Sequence, residues 1–130
     1  MCRIFPYLID QLDEESRKLG RALREEDRIR VVEEVLKTVT PGNKVNLLLT
    51  DGTMLYVHSN YRASLYQRND GDTVWISTFP LDENEWEELP LNTLRVFRGN
   101  TLRHQGADHG NEYFDSEEKM KLLYLDFANL

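Results

Sequence analysis

The most constraining feature of this sequence is a pair of apolar, β-rich runs on either side of Asp51-Gly52. Runs of this kind favour strands, and an Asp-Gly dipeptide tolerates the positive φ angles of a tight turn. The sequence therefore predicts a β-hairpin with strands over Lys44–Thr50 and Met54–Asn60. This interpretation assigns Asp51-Gly52 to a turn and not to a binding or catalytic site.

Further strand-like segments follow the hairpin, and stretches rich in turn residues separate them. These stretches are the cluster Asn69-Asp70-Gly71-Asp72, an acidic loop from Pro80 to Pro90, and Gly99-Asn100. Together with the hairpin, the segments predict an antiparallel sheet of about six strands within residues 44–105. The additional predicted strands are Ala63–Arg68, Thr73–Phe79, Leu94–Phe97 and Thr101–His104.

Two segments before the hairpin show the helical spacing of apolar side chains. The first predicted helix covers residues 3 to about 13, and a charged, partly helical connection runs from Glu14 to Arg24. The second begins at about Glu25 or Glu26 and ends at Thr38, before Pro41-Gly42. The apolar positions are Ile4, Phe5, Leu8, Ile9 and Leu12 in the first helix, and Ile29, Val32, Leu36 and Val39 in the second.

A length of 130 residues predicts one α+β domain over residues 1–130, with the helical part at 3–39 and the sheet at 44–105. Residues 106–130 are expected to form a polar tail, with a short helix from Ser116 to about Leu125. The two amphipathic helices are expected to cover one face of the sheet.

Charge and cysteine content limit the partners and the cellular compartment. The net charge is −7 and no basic stripe is present, which argues against nucleic-acid and membrane partners. The one cysteine, Cys2, excludes an internal disulfide and a cysteine zinc cluster. The first residues lack the long apolar core of a signal peptide, so we expect a cytoplasmic protein.

The predicted strands are apolar on both faces, although a sheet with one face in water alternates apolar and polar residues. Two helices cover only one face, so the other face needs a second sheet, a partner chain or the C-terminal tail. The residues that show this pattern are Val45, Leu47 and Leu49 against Leu48, and Val74 and Ile76 against Trp75 and Phe79.

The remaining polar and aromatic groups form no diagnostic site, and we expect neither a metal nor a cofactor. A metal site at His58, His104 and His109 with Asp108 is less favoured than surface or strand histidines, because their spacing is not diagnostic. Trp75 and Trp86 are interpreted as packing residues. A solvated loop is the favoured interpretation of the acidic run, which lacks a glycine-punctuated calcium pattern and comprises Asp82, Glu83, Glu85, Glu87 and Glu88.

Several of these segments resemble one known family, in that family's order. They are similar to the C-terminal half of the class II glutamine amidotransferase domain, over roughly residues 3 to 105. The segments are Val45–Gly52, Ser64-Leu65-Tyr66, Ile76–Asp82, Trp86 and Glu87–Pro90.

The resemblance implies an N-terminal-nucleophile hydrolase, whose four-layer αββα sandwich contains two facing antiparallel sheets. The sheet and the two helices would then form half of such a sandwich. The family hydrolyses the side-chain amide of glutamine with an N-terminal cysteine thiolate, and the free α-amine acts as the base. Cys2 is the candidate catalytic residue on this resemblance, because removal of Met1 would expose it.

The chain departs from the family because it has no G-W-G segment and no H-N-G loop, which help the family bind glutamine. Its start, Met1-Cys2-Arg3, therefore has two interpretations. It is either the family's nucleophile start, or an accidental likeness in which Arg3 to Leu12 correspond to a helix of the second half. The helical stripe from Ile4 to Leu12 favours the second interpretation, in which Cys2 is a terminal thiol.

The sequence supports three functional hypotheses. In the first, the chain is a truncated amidotransferase-like domain without glutamine hydrolysis by itself, which binds itself or a partner through the open sheet face. In the second, it is an active glutamine amidohydrolase that uses Cys2, with a second subunit supplying the missing donors. In the third, it is a generic α+β binding or regulatory protein whose likeness to the family reflects hairpin chemistry alone.

Overall fold

A computed structural model describes residues 4–115 of the chain. Two helices precede seven strands, all within this range. In chain order the elements are α1 (Ile4–Leu19), α2 (Glu25–Val39), β1 (Asn46–Thr50), β2 (Leu55–Ser59), β3 (Tyr66–Asn69), β4 (Val74–Ser77), β5 (Glu87–Glu88), β6 (Arg95–Arg98) and β7 (Thr101–Gln105).

The strands form two separate antiparallel sheets. The first has the order β1-β2-β6-β7 and the second the order β4-β3-β5. The predicted α+β class with antiparallel strands is confirmed, but the single sheet of about six strands is wrong. The difference arises after β2, where Ala63 adopts a φ of 56° and the chain leaves the first sheet. Tyr66 in β3 then pairs with Ser77 and Glu88 instead of with β2.

The layers follow from two groups of buried apolar side chains. The helix-side core packs α1 and α2 against one face of the first sheet, and the inter-sheet core packs the second sheet against the other face. The second sheet of the chain itself therefore covers the other face at Val57 and Phe97, whereas Leu48 on the same face of β1 is 59% exposed. The helix-side core comprises Leu8, Val31, Val32, Val35, Leu36, Leu47, Met54, Tyr56, Leu94 and Val96, and the inter-sheet core comprises Val57, Leu65, Leu89 and Phe97.

Helix α1 extends through Leu19, six residues beyond the predicted end near residue 13. It ends at Gly20, whose φ of +67° is the left-handed conformation common after a helix, and whose N–H donates to the carbonyl of Ser16 at 2.9 Å. The charged residues after Glu14 were expected to form only a partly helical connection. They continue the helix because this stretch contains no glycine or proline before Gly20.

The loop of the predicted hairpin has four residues, because Thr50 pairs with Leu55. Gly52 has a φ of +96°, as the Asp-Gly pattern predicts. Asp51 holds the loop together: its carboxylate accepts from the N–H of Thr53 at 2.9 Å and from that of Met54 at 2.8 Å. The assignment of Asp51-Gly52 to a turn is confirmed.

Residues 106–115 contain neither helix nor strand, yet they bind to the body of the protein. The N–H groups of Gly106, His109 and Tyr113 donate to the carbonyls of Leu94, Asn92 and Asn60 at 2.8, 3.1 and 2.7 Å. We call residues 106–115 the strap. The short helix predicted from Ser116 to about Leu125 lies outside the described residues. Neither helix in the described range is long and apolar enough to cross a membrane.

Candidate functional site

The sequence-predicted catalytic residue, Cys2, lies outside the described residues 4–115. Within the described range, the side chains that the sequence singles out are the histidines and the acidic run.

Two of the three histidines form a hydrogen bond between the strap, which carries His109, and β2, which carries His58. The Nε2 atoms of His58 and His109 lie 2.9 Å apart, and His58 is completely buried. Burial lowers the pKa of His58 to about 4, and the neighbouring His109 contributes to the same shift. Burial also lowers the pKa of His109, against the opposing effect of Asp108. Both imidazoles are therefore neutral at pH 7.

The hydrogen bonds assign one tautomer to each ring. The N–H of Asn111 donates to Nδ1 of His109 at 3.0 Å, so the proton of neutral His109 resides on Nε2 and points to His58. Nδ1 of His58 donates to the carbonyl of Val45 at 3.0 Å, which leaves its Nε2 as the acceptor. This arrangement ties the strap to the first sheet.

The third histidine is separate from this pair. His104 contacts the carboxylate of Glu33 on α2. No cluster of three or more His, Cys, Asp or Glu side chains that could hold a metal occurs within residues 4–115. The structure therefore does not join His104 with His58 and His109 in one site.

The acidic run divides between structural contacts and a cleft. Asp82 accepts from the N–H of Asn84 at 2.9 Å and from the indole N–H of Trp86 at 3.0 Å. Glu88 accepts from the N–H of Ala63 at 2.5 Å and so fastens β5 to the loop before β3. Glu85 and Glu87 line a cleft between the two sheets.

This inter-sheet cleft has a volume of about 470 Å³, within the roughly 300–1,000 Å³ of typical small-molecule sites. It is lined by two cations, three acids, three amides and three apolar side chains. These are Arg68 and Arg95; Asp70, Glu85 and Glu87; Gln67, Asn69 and Asn84; and Val74, Phe97 and Leu102.

Arg95 is the unusual member of the cleft. It lies on β6 between Leu94 and Val96, whose side chains point to the helix-side core, and shares the opposite face with Phe97. Its guanidinium lies with Cζ 5.5 Å from the centre of the Phe97 ring, and its Nη1 donates to Gln105 Oε1 at 3.3 Å. Its Nε is buried and has no hydrogen-bond partner among residues 4–115.

The electrostatics of Arg95 reflect this position. Burial lowers the pKa of its guanidinium, and the negative charge of Glu87 opposes that effect. No ion pair within 4.0 Å joins Arg95 to Glu87 in the described part of the chain. Opposite charges therefore line the same cleft without forming an ion pair.

Turn contacts hold one end of the cleft in place. Asn69 Nδ2 donates to the carbonyl of Asn100 at 3.1 Å, and Asn100 Nδ2 donates to the carbonyl of Gly71. These bonds join the turn between β3 and β4 to the turn between β6 and β7. The two sheets are thereby connected by hydrogen bonds as well as by the inter-sheet core.

Sequence reasoning did not identify Arg95 as a site residue. A signal was available, since a charged residue two positions before the buried Phe97 must share its face of the strand. The sequence left three possible covers open for this face, a second sheet among them, and so it did not indicate a cleft beside Arg95.

Comparison of the chain with known protein families, with curated proteins and with solved structures found no match.

Proposed function

We propose that this protein is a binding module that holds a small polar molecule in the inter-sheet cleft. One observation carries the proposal: the half-buried guanidinium of Arg95 lines the cleft and makes one hydrogen bond among residues 4–115, from Nη1 to Gln105. A partly desolvated guanidinium with free donors can form strong, charge-assisted hydrogen bonds with a ligand.

Two further features support a binding role for the cleft. Its lining combines an apolar wall at Val74, Phe97 and Leu102 with a few converging charged groups, which is the usual make-up of a small-molecule site. The contacts of Asn69 and Asn100 hold its walls before any ligand arrives. Preformed walls reduce the conformational entropy lost on binding.

The test is a two-dimensional amide NMR screen of the full chain with a library of small polar molecules. We expect shift changes that cluster on Gln67, Val74, Arg95 and Phe97 for at least one class of compound. Leu102→Trp should abolish these changes by filling the cleft. Leu48→Trp is the matched control, because Leu48 is likewise an exposed leucine on an edge strand, but outside the cleft. No binding, or shift changes unaffected by Leu102→Trp, would reject the proposal.

A second proposed function keeps the resemblance to class II glutamine amidotransferases. The helices, the first sheet and the second sheet are stacked in the same order as three layers of an αββα sandwich. This similarity supports the second candidate. In it, the chain corresponds to the second half of that domain and acts as a self-associating module. The expected contact moves from the sheet face, which the second sheet covers, to the edge strand β4.

The occupant in this second candidate is another copy of the same chain. An unpaired antiparallel edge can pair with an identical edge about a two-fold axis. In and after β4, Trp75, Phe79 and Leu81 are 45, 61 and 57% exposed. Sedimentation should then show a dimer that Phe79→Glu dissociates and Leu48→Glu does not. A chain that is monomeric at high concentration and binds no apolar dye would reject self-association.

The enzymatic alternative retains Cys2 as the nucleophile of a glutamine amidohydrolase, and the start Met1-Cys2-Arg3 is its motivation. Intact mass should then show loss of Met1, and a glutamine-mimicking diazoketone should add once, at Cys2. Glutamine should block this adduct. A thiol that reacts with a generic reagent but not with the diazoketone would leave the chain without this activity.

A further inference from the structure

We propose that the ligand of the inter-sheet cleft is a small zwitterion with an apolar side chain, of the size and chemistry of an α-amino acid, a proposal that rests on the binding function above. The ligand's carboxylate would bind Arg95, and its ammonium group would bind Glu87 with help from Glu85. Its side chain would contact the apolar wall.

The carboxylate assignment follows from the bonding of Arg95. A guanidinium carries five N–H donors in a planar fork that matches a carboxylate in a bidentate manner. Within the described range, the Arg95 guanidinium makes one hydrogen bond, the 3.3 Å contact of Nη1 with Gln105, while its Nε is enclosed by the protein. A ligand carboxylate can use the remaining N–H donors of the two Nη atoms.

The ammonium assignment follows from the relation between Arg95 and Glu87. Glu87 is near enough for its charge to act on Arg95, yet the two do not form an ion pair within 4.0 Å. Both line the same cleft, together with Glu85. Such a separated pair fits a molecule that carries both charges, because each ligand group then meets its opposite.

The net charge and the apolar wall narrow the class further. The lining carries two arginines against three acids, and the whole chain has a net charge of −7, so a polyanion would be repelled. Val74, Phe97 and Leu102 lie beside these charges and offer apolar surface to an aliphatic or aromatic side chain. An amino acid with an apolar side chain has a carboxylate for Arg95, an ammonium group for Glu87 and an apolar part for the wall, and it carries no excess negative charge.

The experiment compares three probes that share one apolar body and differ in charge: L-phenylalanine, 2-phenylethylamine without the carboxylate, and 3-phenylpropionate without the ammonium group. Their dissociation constants are measured by amide NMR titration of the full chain up to about 10 mM. L-Phenylalanine should bind at least about tenfold more tightly than either analogue, because each analogue lacks one of the two charged contacts.

Variants assign each charge to its residue. Arg95→Gln should remove the advantage of L-phenylalanine over 2-phenylethylamine, and Glu87→Gln should remove its advantage over 3-phenylpropionate. Arg103→Gln is the matched control, because Arg103 lies on β7 but contacts Glu25 of α2 and does not line the cleft. This control should leave all three affinities unchanged.

The outcomes separate this inference from the proposed function. If the three probes bind in the cleft with equal affinity, or if the variants do not alter their order, the zwitterion is rejected while the cleft remains a binding site. If no probe binds, the zwitterion is likewise rejected. If, in addition, no compound of the broader screen shifts cleft amides, the binding function itself is rejected.

Discussion

His58 and His109 are 51 positions apart in sequence, and their Nε2 atoms lie 2.9 Å apart in a neutral imidazole–imidazole hydrogen bond. His58 accepts in this bond and donates from Nδ1 to Val45, so protonation would place a proton where His109 already donates. This bond, one of several that attach the strap to the body of the protein, therefore exists in these tautomers only while His58 is neutral.

The first prediction concerns pH. Unfolded His58 binds a proton near pH 6.5, whereas the folded residue has a pKa of about 4. The unfolded chain therefore binds more protons in this interval, and the free energy of unfolding should fall as the pH decreases from about 6.5 to about 4. The loss is about 3 kcal/mol for His58, and the lowered pKa of His109 acts in the same direction. Urea titrations at half-unit pH intervals measure this slope.

A matched pair of variants isolates the histidine contribution from the carboxylates that titrate nearby. His58→Gln should be less stable at pH 7 but should show a flatter pH dependence than the unmodified chain. His104→Gln replaces a histidine outside this pair, which contacts Glu33. This variant should retain the steep pH dependence of the free energy of unfolding. Equal slopes in His58→Gln and the unmodified chain would contradict the assignment.

The second prediction concerns Asp51 in the hairpin loop. Burial would raise the pKa of its carboxyl, but donated bonds from Met54, Thr53 and Tyr56 outweigh burial and hold that pKa well below its usual range. Arg28 Nε also donates to it at 2.9 Å. Asp51→Asn places an amide N–H against these donors and should cost about 2 kcal/mol in the free energy of unfolding.

The control for Asp51 is Asp70→Asn. Asp70 also accepts two backbone N–H bonds in a hairpin loop, and the indole N–H of Trp75 donates to it at 3.2 Å, but it is exposed and pairs with no arginine within 4.0 Å among residues 4–115. Its substitution should cost less than about 1 kcal/mol by urea denaturation. Equal losses for the two variants would show that the turn geometry, and not the partners of Asp51, provides the stability.

The third prediction concerns the attachment of the second sheet. Leu89 is 1% exposed and belongs to the inter-sheet core. Leu89→Ala should lower the free energy of unfolding by about 2–4 kcal/mol through lost burial and a cavity. Leu81→Ala, at a leucine that is 57% exposed, should change it by less than about 0.5 kcal/mol. A small effect of Leu89→Ala would mean that the second sheet adds little to global stability.

The fourth prediction concerns Asn92, a buried residue with a φ of 62°. Its side-chain Oδ1 has no hydrogen-bond partner within the part of the chain that the structure describes. Asn92→Gly fits the left-handed backbone and removes this oxygen, so stability should stay equal or rise. Asn92→Ala retains a Cβ that disfavours this conformation and should cost about 1 kcal/mol. Thermal unfolding of the two variants side by side makes the comparison, and a loss in both would contradict it.

Local patterns predicted the helices and most strands because each depends on neighbouring residues. The stripe of α2, for example, and the runs beside Asp51-Gly52 are visible within a few positions of sequence. Strand β5 was not predicted, because Glu87 and Glu88 have low strand propensity and form a strand only by pairing with Gln67 and Tyr66.

The division into two sheets and the cleft could not be obtained in this way. The position of β3 depends on pairing partners that periodicity does not reveal, and the placement of Arg95 in a cleft depends on that division. The His58–His109 bond joins a strand to a strap that has no regular secondary structure. Side-chain spacing carries no information about such a contact.

Among residues 4–115, the inter-sheet core contains four buried side chains, far fewer than the helix-side core on the opposite face of the same sheet. Less apolar burial means a lower free energy for local opening, so the amides of β3 and β4 should exchange with solvent sooner than those of β1 and β2. The second sheet can then move away from the first without global unfolding. A molecule held between the two sheets would oppose this movement and would slow exchange across the whole second sheet.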